Sequence, residues 1–221
     1  MRATVFGGAK SKLRSHSASY NSGRAWVYRD PAKEYGKLSD FDVQAWRPGL
    51  RELYERSMTA SAVAETILFS HGGGGNWKAS FDLAAATLDA LEYADEELCS
   101  RLFIYFLWHW ADILGIRPHL YCNCCGCADS VLCFDITAHS ALCVNCTHNE
   151  SASGGAHRSL HGRAHRLSPD CLRWLAEAEQ IAPSHLHLCS INNKSFAEAK
   201  SFVTAVTAGA IGKRLSSWTF G

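Results

Sequence analysis

Tyr121-Cys122-Asn123-Cys124-Cys125-Gly126-Cys127 is answered downstream by Leu142-Cys143-Val144-Asn145-Cys146, and the rest of the chain arranges itself around this pair. The pattern is C-x2-C, seventeen residues, C-x2-C, a spacing typical of four-thiolate zinc sites. Two residues between cysteines let a tight turn aim both sulfurs at one ion. A second such turn closes a tetrahedron and leaves no open position, so the metal is expected to be structural. Cys124/Cys127 is also C-x2-C. The register Cys122, Cys125, Cys143, Cys146 is preferred because Gly126 then directly follows the second ligand and suits the knuckle backbone. His139 and His148 are substitute ligands.

The chain has ten cysteines in 221 residues. Disulfides need an oxidising compartment. No basic n-region followed by an apolar stretch opens the chain, so cytosolic thiols and metal are the expectation. Cys99 reads as a small core residue, and Cys133, Cys171 and Cys189 have no paired spacing. Zinc deaminases carry H-x-E before P-C-x-x-C. Here His148-Asn149-Glu150 follows the cysteines and no proline precedes either pair. G-x-x-x-x-G-K-[ST], G-x-S-x-G and H-E-x-x-H are absent, and Gly72–Gly75 runs into Asn76-Trp77 rather than a P-loop lysine.

Upstream of the cysteines, residues 102–114 (LFIYFLWHWADIL) form the longest apolar run. A membrane span needs about 20 apolar residues, so this is a buried helix. Asp95, Glu96 and Glu97 fall in its first turn, Gly115 suits its end and Pro118 follows. Two further helices precede it, from Leu50 to Leu68 and from Phe81 to Leu91, separated by the glycines. Downstream, 148–166 is rich in Ser, Gly and His and reads as a loop. Ser168-Pro169-Asp170 starts a helix through Leu172 and Leu175. Residues 195–208 and 211–217 read as helices separated near Gly209 and Gly212.

Residues before Gly49 have a different period. The run 3–6 ends at Gly7-Gly8, 24–28 (RAWVY) reads as a strand, and 38–46 as a half-buried strand with a bulge. Hydrophobic residues at 47% and charged ones at 19% fit a globular protein of one or two domains. The net charge of +1 conceals a gradient: 11 basic and 6 acidic residues over 1–60, 3 and 8 over 61–120, and 8 and 7 over 121–221. The basic segment also carries Tyr20, Trp26, Tyr28 and Trp46. Cations and aromatic faces together are what single-stranded nucleic acid requires, although aromatics in strands are also ordinary core.

This order of parts resembles the bacterial RecO family of recombinational repair mediators. Trp46-Arg47-Pro48-Gly49-Leu50-Arg51 looks like the family's "PGLR" entry into its first helix. Leu114-Gly115-Ile116-Arg117-Pro118-His119-Leu120 with Cys122/Cys125-Gly126 is similar to "LGYxPxLxxCxxCG". Cys143/Cys146 fit the second cysteine pair, Leu167-Ser168-Pro169 the "ISP" helix start, and Gly212-Lys213-Arg214-Leu215-Ser216-Ser217 the closing "GKxLKS".

The resemblance implies an α+β protein: an N-terminal OB-type β-barrel (1–47), then an α-helical domain (48–221) with a zinc-binding insert (121–147). A five-stranded barrel needs roughly 70–80 residues, so with 47 it is expected to be incomplete. An upstream in-frame extension of about 25 residues would complete it. The resemblance further implies a non-enzymatic factor of the RecFOR pathway, cytoplasmic and nucleoid-associated, with one structural Zn2+. It would bind single- and double-stranded DNA, anneal complementary strands and help load recombinase onto strands coated by single-strand-binding protein, with RecR as partner. The DNA-binding candidates are Arg2, Lys10, Lys12, Arg14 and Arg24, with Lys213 and Arg214 as additions. The rival readings are a zinc-dependent hydrolase or deaminase and a zinc-ribbon transcription factor.

Overall fold

The computed structural model describes residues 2–5, 12–29, 31, 35–147, 164–213 and 215–219. The chain opens with β1 (Arg2–Val5), a short helix α1 (Lys12–His16), β2 (Ser22–Arg29) and β3 (Tyr35–Ala45). Their sheet has the order β1-β3-β2. β1 runs parallel to β3, Arg2 opposite Tyr35, and β2 runs antiparallel to it, Ser22 opposite Ala45 and Arg29 opposite Gly36. The register shifts at Ser22/Gly23 and at Trp26/Val27, which are the bulges that short, twisted ribbons use. Gly23 is obligatory there, because a Cβ would lie 2.0 Å from the Asp42 carbonyl oxygen.

The sheet does not close. β1 and β2 flank β3 and do not pair with each other, so among the described residues there is no barrel. β1 reaches only as far as Leu38 along β3. Beyond that point α1 covers β3: the His16 Nδ1–H donates to the Phe41 carbonyl (3.2 Å), and Asn21 Nδ2 donates to the His16 carbonyl (3.1 Å). An uncovered β3 edge would offer unpaired backbone groups to other chains.

A 3-10 turn (Pro48–Arg51) leads from β3 into α2 (Tyr54–Phe69), α3 (Trp77–Leu91) and α4 (Glu96–Ile113). α4 is buried on nearly every side, from Cys99 through Leu102–Trp108 to Trp110 and Ala111, and helices α2 and α3 pack on it. A helix apolar all round has to sit at the centre, and this one does. Its ends are those expected, with one refinement. Asp95 is the cap itself, its carboxylate accepting the Leu98 N–H at 2.8 Å, rather than a first-turn residue. At the other end Gly115 adopts φ +70°, and the Gly115 and Ile116 N–H groups return to Asp112 and Ala111 carbonyls.

After the cysteine region come β6 (Ala164–Leu167), α5 (Pro169–Gln180), a 3-10 helix (Pro183–Leu188) and α6 (Asn193–Ile211). Ser168 caps α5 and Asn192 caps α6. Three expectations are corrected here. Residues 164–167, read as the end of a loop, form a strand. Gly209 lies inside α6, which runs without a break to Ile211 and stops at Gly212 (φ +80°). The second closing helix is instead a 3-10 turn (Ser216–Thr219) that returns to α2. There Trp218 Nε1 donates to Thr66 Oγ1 at 3.1 Å and Ser217 Oγ bonds Glu65. No described helix is long and apolar enough to cross a membrane.

Two polar seams tie these layers. Arg47, 2% exposed, donates from Nε to Asp89 of α3 (2.7 Å) and from Nη1 to the Tyr20 carbonyl (2.6 Å). Between α4 and α5, Tyr105 Oη donates to Ile181 O (2.8 Å) and Trp108 Nε1 to Glu179 (3.1 Å). The His109 Nε2–H donates to Ala178 O at 3.0 Å.

Arg47→Ala is expected to destabilise the fold by about 2 kcal/mol, since it removes a buried donor from two acceptors. Asp89→Asn costs less, because the Asp89 side chain is 58% exposed and water replaces its partner. Urea melts of the two variants test the order.

Burial lowers the pKa of His109 below its ordinary 6.5, with nearby Arg117 adding to the effect. The folded state therefore favours neutral imidazole, whereas the unfolded chain takes up a proton near 6.5. This contribution to stability is complete above pH 6.5 and is lost as pH falls below it. His109→Gln is expected to flatten the dependence of melting temperature on pH between 5 and 7.

Candidate metal centre and nucleic-acid interface

The two cysteine pairs are brought together by a hairpin that sequence periodicity did not indicate. β4 (Leu132–Asp135) and β5 (Ser140–Cys143) pair antiparallel, with Leu132 opposite Cys143, and β6 adds to the other edge of β4. Leu132 and Phe134 point to the core while Cys133 and Asp135 alternate with them, the pattern of a half-buried strand. The turn is built by Asp135, whose carboxylate accepts the Thr137 and Ala138 N–H groups at 2.9 and 3.0 Å. His139 follows with φ +49°.

The first knuckle is clamped to the edge of β5. The Asn123 N–H donates to Ala141 O (2.8 Å), and the Ala141 N–H returns to Asn123 Oδ1 (2.6 Å). Within the knuckle, Gly126 N–H donates to Cys122 O and Cys122 N–H to Cys127 O, both 2.8 Å. Gly126 stands at φ +75°, a conformation that a side chain disfavours. The second pair lies at the end of β5 (Cys143) and on the helical turn 144–147 (Cys146).

In this arrangement the sulfurs of Cys122, Cys125, Cys143 and Cys146 all lie within 4.8 Å of one another and could hold one metal ion. Zn–S bonds of about 2.3 Å put the corners of a tetrahedron about 3.8 Å apart. The Cys125–Cys143 separation is 3.7 Å. Backbone N–H groups also aim at the sulfurs, with Cys143 N 3.3 Å from Cys122 Sγ. Burial would raise the Cys122 thiol, but N–H groups of Cys125, Cys143 and Cys124 outweigh it and bring the pKa down to about 6. The Cys146 N–H lowers Cys143 in the same way. Cys125 and Cys146 are shifted the other way, upward, by hydrogen bonds with the neighbouring cysteine thiols, so the cluster holds two acidified thiols beside two that retain their protons. The alternate pair is not gathered in: Cys124 is exposed, and Cys127 contributes its carbonyl to the knuckle. Of the two substitute histidines, His139 occupies the hairpin turn and His148 lies outside the described residues. The remaining cysteines, Cys99, Cys133, Cys171 and Cys189, are free. Burial raises Cys99 to about 11 and Cys171 to about 12, as for inert core thiols.

The basic candidates are distributed unevenly. Lys12 and Arg14 are exposed on α1, and Arg24 is exposed on β2. Arg24 stands opposite Asp42 of β3, so part of its field is cancelled by a neighbouring carboxylate. Arg2 is placed by its backbone in β1. Lys10 and Arg214 lie outside the described residues. Lys213 is remote from the sheet, 3.5 Å above the ring of Phe69 at the end of α2. Exposed aromatics accompany the cations: Trp26, Tyr28, Tyr35 and Trp46. Arg29, also exposed at the end of β2, is a cation that the sequence reading did not single out.

The fold and site define a class: an α+β protein with a mainly helical body that carries a compact four-cysteine cluster on a small sheet, preceded by an open, basic sheet. Residues 51–219 match the family described as recombination protein O, C terminal, and the chain belongs to that family. The match takes in α2 to α6 and the whole cysteine insert, and the first fifty residues lie outside it. No curated protein matches the sequence.

The cluster is expected to take up one equivalent of zinc, read with a chromogenic chelator after denaturation. Cys143→Ser is expected to lose that equivalent and lower the melting temperature, whereas Cys124→Ser and Cys127→Ser retain it. Loss of zinc in Cys124→Ser would favour the other register.

Proposed function

We propose that this chain is a recombination and repair mediator that holds DNA on its N-terminal module. In that role it binds single- and double-stranded DNA, anneals complementary strands and helps load recombinase onto strands coated by single-strand-binding protein, with RecR as partner. Membership of the recombination protein O family carries the general role in recombination and repair. The observation that supports the DNA-binding step is the coincidence of exposed Lys12, Arg14 and Arg24 with exposed Trp26 and Tyr28 on one small sheet and its helix, with exposed Trp46 directly after β3.

Annealing needs no catalytic group. It needs two strands held close while cations screen their repulsion, and phosphate contacts supply that without reading sequence. We assign residues 1–47 as a partial OB-type module and 48–221 as the helical domain with its insert at 121–147. Cys122, Cys125, Cys143 and Cys146 are assigned as ligands of one structural zinc, whose chemistry is to cross-link the knuckle. Four thiolates fill a tetrahedral ion, and a hydrolase or deaminase would need a position left for water. A zinc-ribbon transcription factor would discriminate between duplex sequences, and phosphate binding does not.

Simultaneous Lys12→Ala, Arg14→Ala and Arg24→Ala is expected to weaken DNA binding. It is also expected to reduce the slope of log K against log salt by about 2 to 3, given roughly 0.9 per phosphate contact. Fluorescence anisotropy across a salt series measures this, and an unchanged slope would reject the patch.

A further inference from the structure

Trp46 stands at the seam between the basic sheet and the helical body. It follows Ala45, the last residue of β3, and precedes the buried Arg47. Its backbone is therefore held on one side by the ladder and on the other by the Arg47 bonds to Asp89 and Tyr20. The side chain nevertheless remains 52% exposed. Large rings are normally the first groups to be buried, so an indole on so rigid a mount is available to a ligand at little cost in ordering.

The ring is also oriented. His16 of α1 packs against it edge to face, with centroids 5.4 Å apart and planes at 88°. His16 is in turn fixed by its bond to the Phe41 carbonyl. Lys12 lies one helical turn before His16, on the same side of α1, where side chains four residues apart are neighbours. Lys12 is exposed. The i, i+4 spacing thus puts Lys12 on the side of α1 that His16 turns to the Trp46 ring.

We propose that Trp46 is a stacking platform for one unpaired base of a single strand, with Lys12 neutralising the adjoining phosphate and His16 positioning the ring. This rests on the DNA-binding reading above and adds a preference to it. A base inside a duplex has both faces occupied by its neighbours, so the platform serves only unpaired bases, whereas Lys12 serves both forms. The position lies beside the sheet rather than on β2, so Trp26 and Tyr28 are not part of it. On a protein that anneals strands, such a platform keeps one base unstacked until its complement arrives.

The full-length chain, zinc-loaded, is titrated into a labelled oligothymidylate and into a labelled duplex of equal length at one salt concentration. Trp46→Ala is expected to weaken single-strand binding about ten-fold, in line with the usual value of base–aromatic stacking, and duplex binding less than two-fold. Trp46→Phe is expected to restore most of the single-strand affinity, which separates stacking from a packing defect. Lys12→Ala is expected to weaken both ligands. The proposal is overturned if Trp46→Ala binds oligothymidylate like the wild type, if it loses both ligands equally, or if Trp46→Phe behaves like Trp46→Ala. In each case DNA binding by the wild type stands. A wild-type chain that binds neither ligand overturns the DNA-binding reading and the platform together.

Discussion

A single buried guanidinium sets the relation between the two halves of this molecule. Arg47 lies two residues beyond Ala45, the last residue of β3, and it reaches both ways: to the carbonyl of Tyr20 in the β-module and to Asp89 on α3. Around it, Gly49 sits against the Glu92 carbonyl, and Arg56 of α2 donates to the carbonyls of Gly49 and Ala94. Tyr20 Oη meets Ser61 at 2.8 Å. Arginine suits this task because its planar fork serves several acceptors at fixed angles, which an ammonium cannot do. The open sheet buries little apolar surface of its own, Leu38 being its one buried large apolar side chain among the described residues. Its orientation therefore depends on these polar bonds more than on a shared core.

The cysteine insert solves a comparable problem by different means. A three-stranded sheet of four-residue strands is too small to hold itself together, and it leans on α6 through Phe134 and Phe202, whose centroids are 4.7 Å apart. That contact secures the core side. The outer side holds turns and cysteines, and a metal ion held by the two knuckles would do there what burial cannot. Two thiols of this cluster, Cys122 and Cys143, are lowered by backbone N–H groups that the knuckles put in position. The cysteine cluster is thus a product of the sheet.

The sequence was most legible where local chemistry alone decides the outcome. Asp95 and Gly115 bound α4, Ser168-Pro169 starts α5, and the two C-x2-C pairs converge, because caps and knuckles are matters of a few consecutive residues. It was least legible where distant contacts decide. β6 is four residues, Ala164 to Leu167, at the edge of a Ser/Gly/His-rich tract, and only its pairing with β4 makes it a strand. Gly209 suggested a break, yet a helix interior tolerates one glycine at about 1 kcal/mol when its neighbours are packed, and Phe202, Val203 and Val206 are. Arg47 could not be told from the surface cations around it, since its burial arises from α3, forty residues away. Where the resemblance implies an incomplete OB-type barrel, the described residues form an open three-stranded sheet, because β1 and β2 share β3 as their neighbour.

The charge gradient gains a physical meaning from this arrangement. The helical segment that follows the sheet exposes Glu52, Asp82, Asp95, Glu96 and Glu97. Three of them are paired, Glu52 with Arg56, Asp82 with Lys78 and Glu97 with Arg101, which leaves the field of Asp95 and Glu96, screened within about 8–10 Å at ordinary salt. On the proposed DNA-binding reading, a polyanion would favour the end where Lys12, Arg14 and Arg24 stand, which the Arg47 bonds hold against the helical body. The even total of charge is a consequence of that division, and it conceals a molecule that is strongly polar along its length.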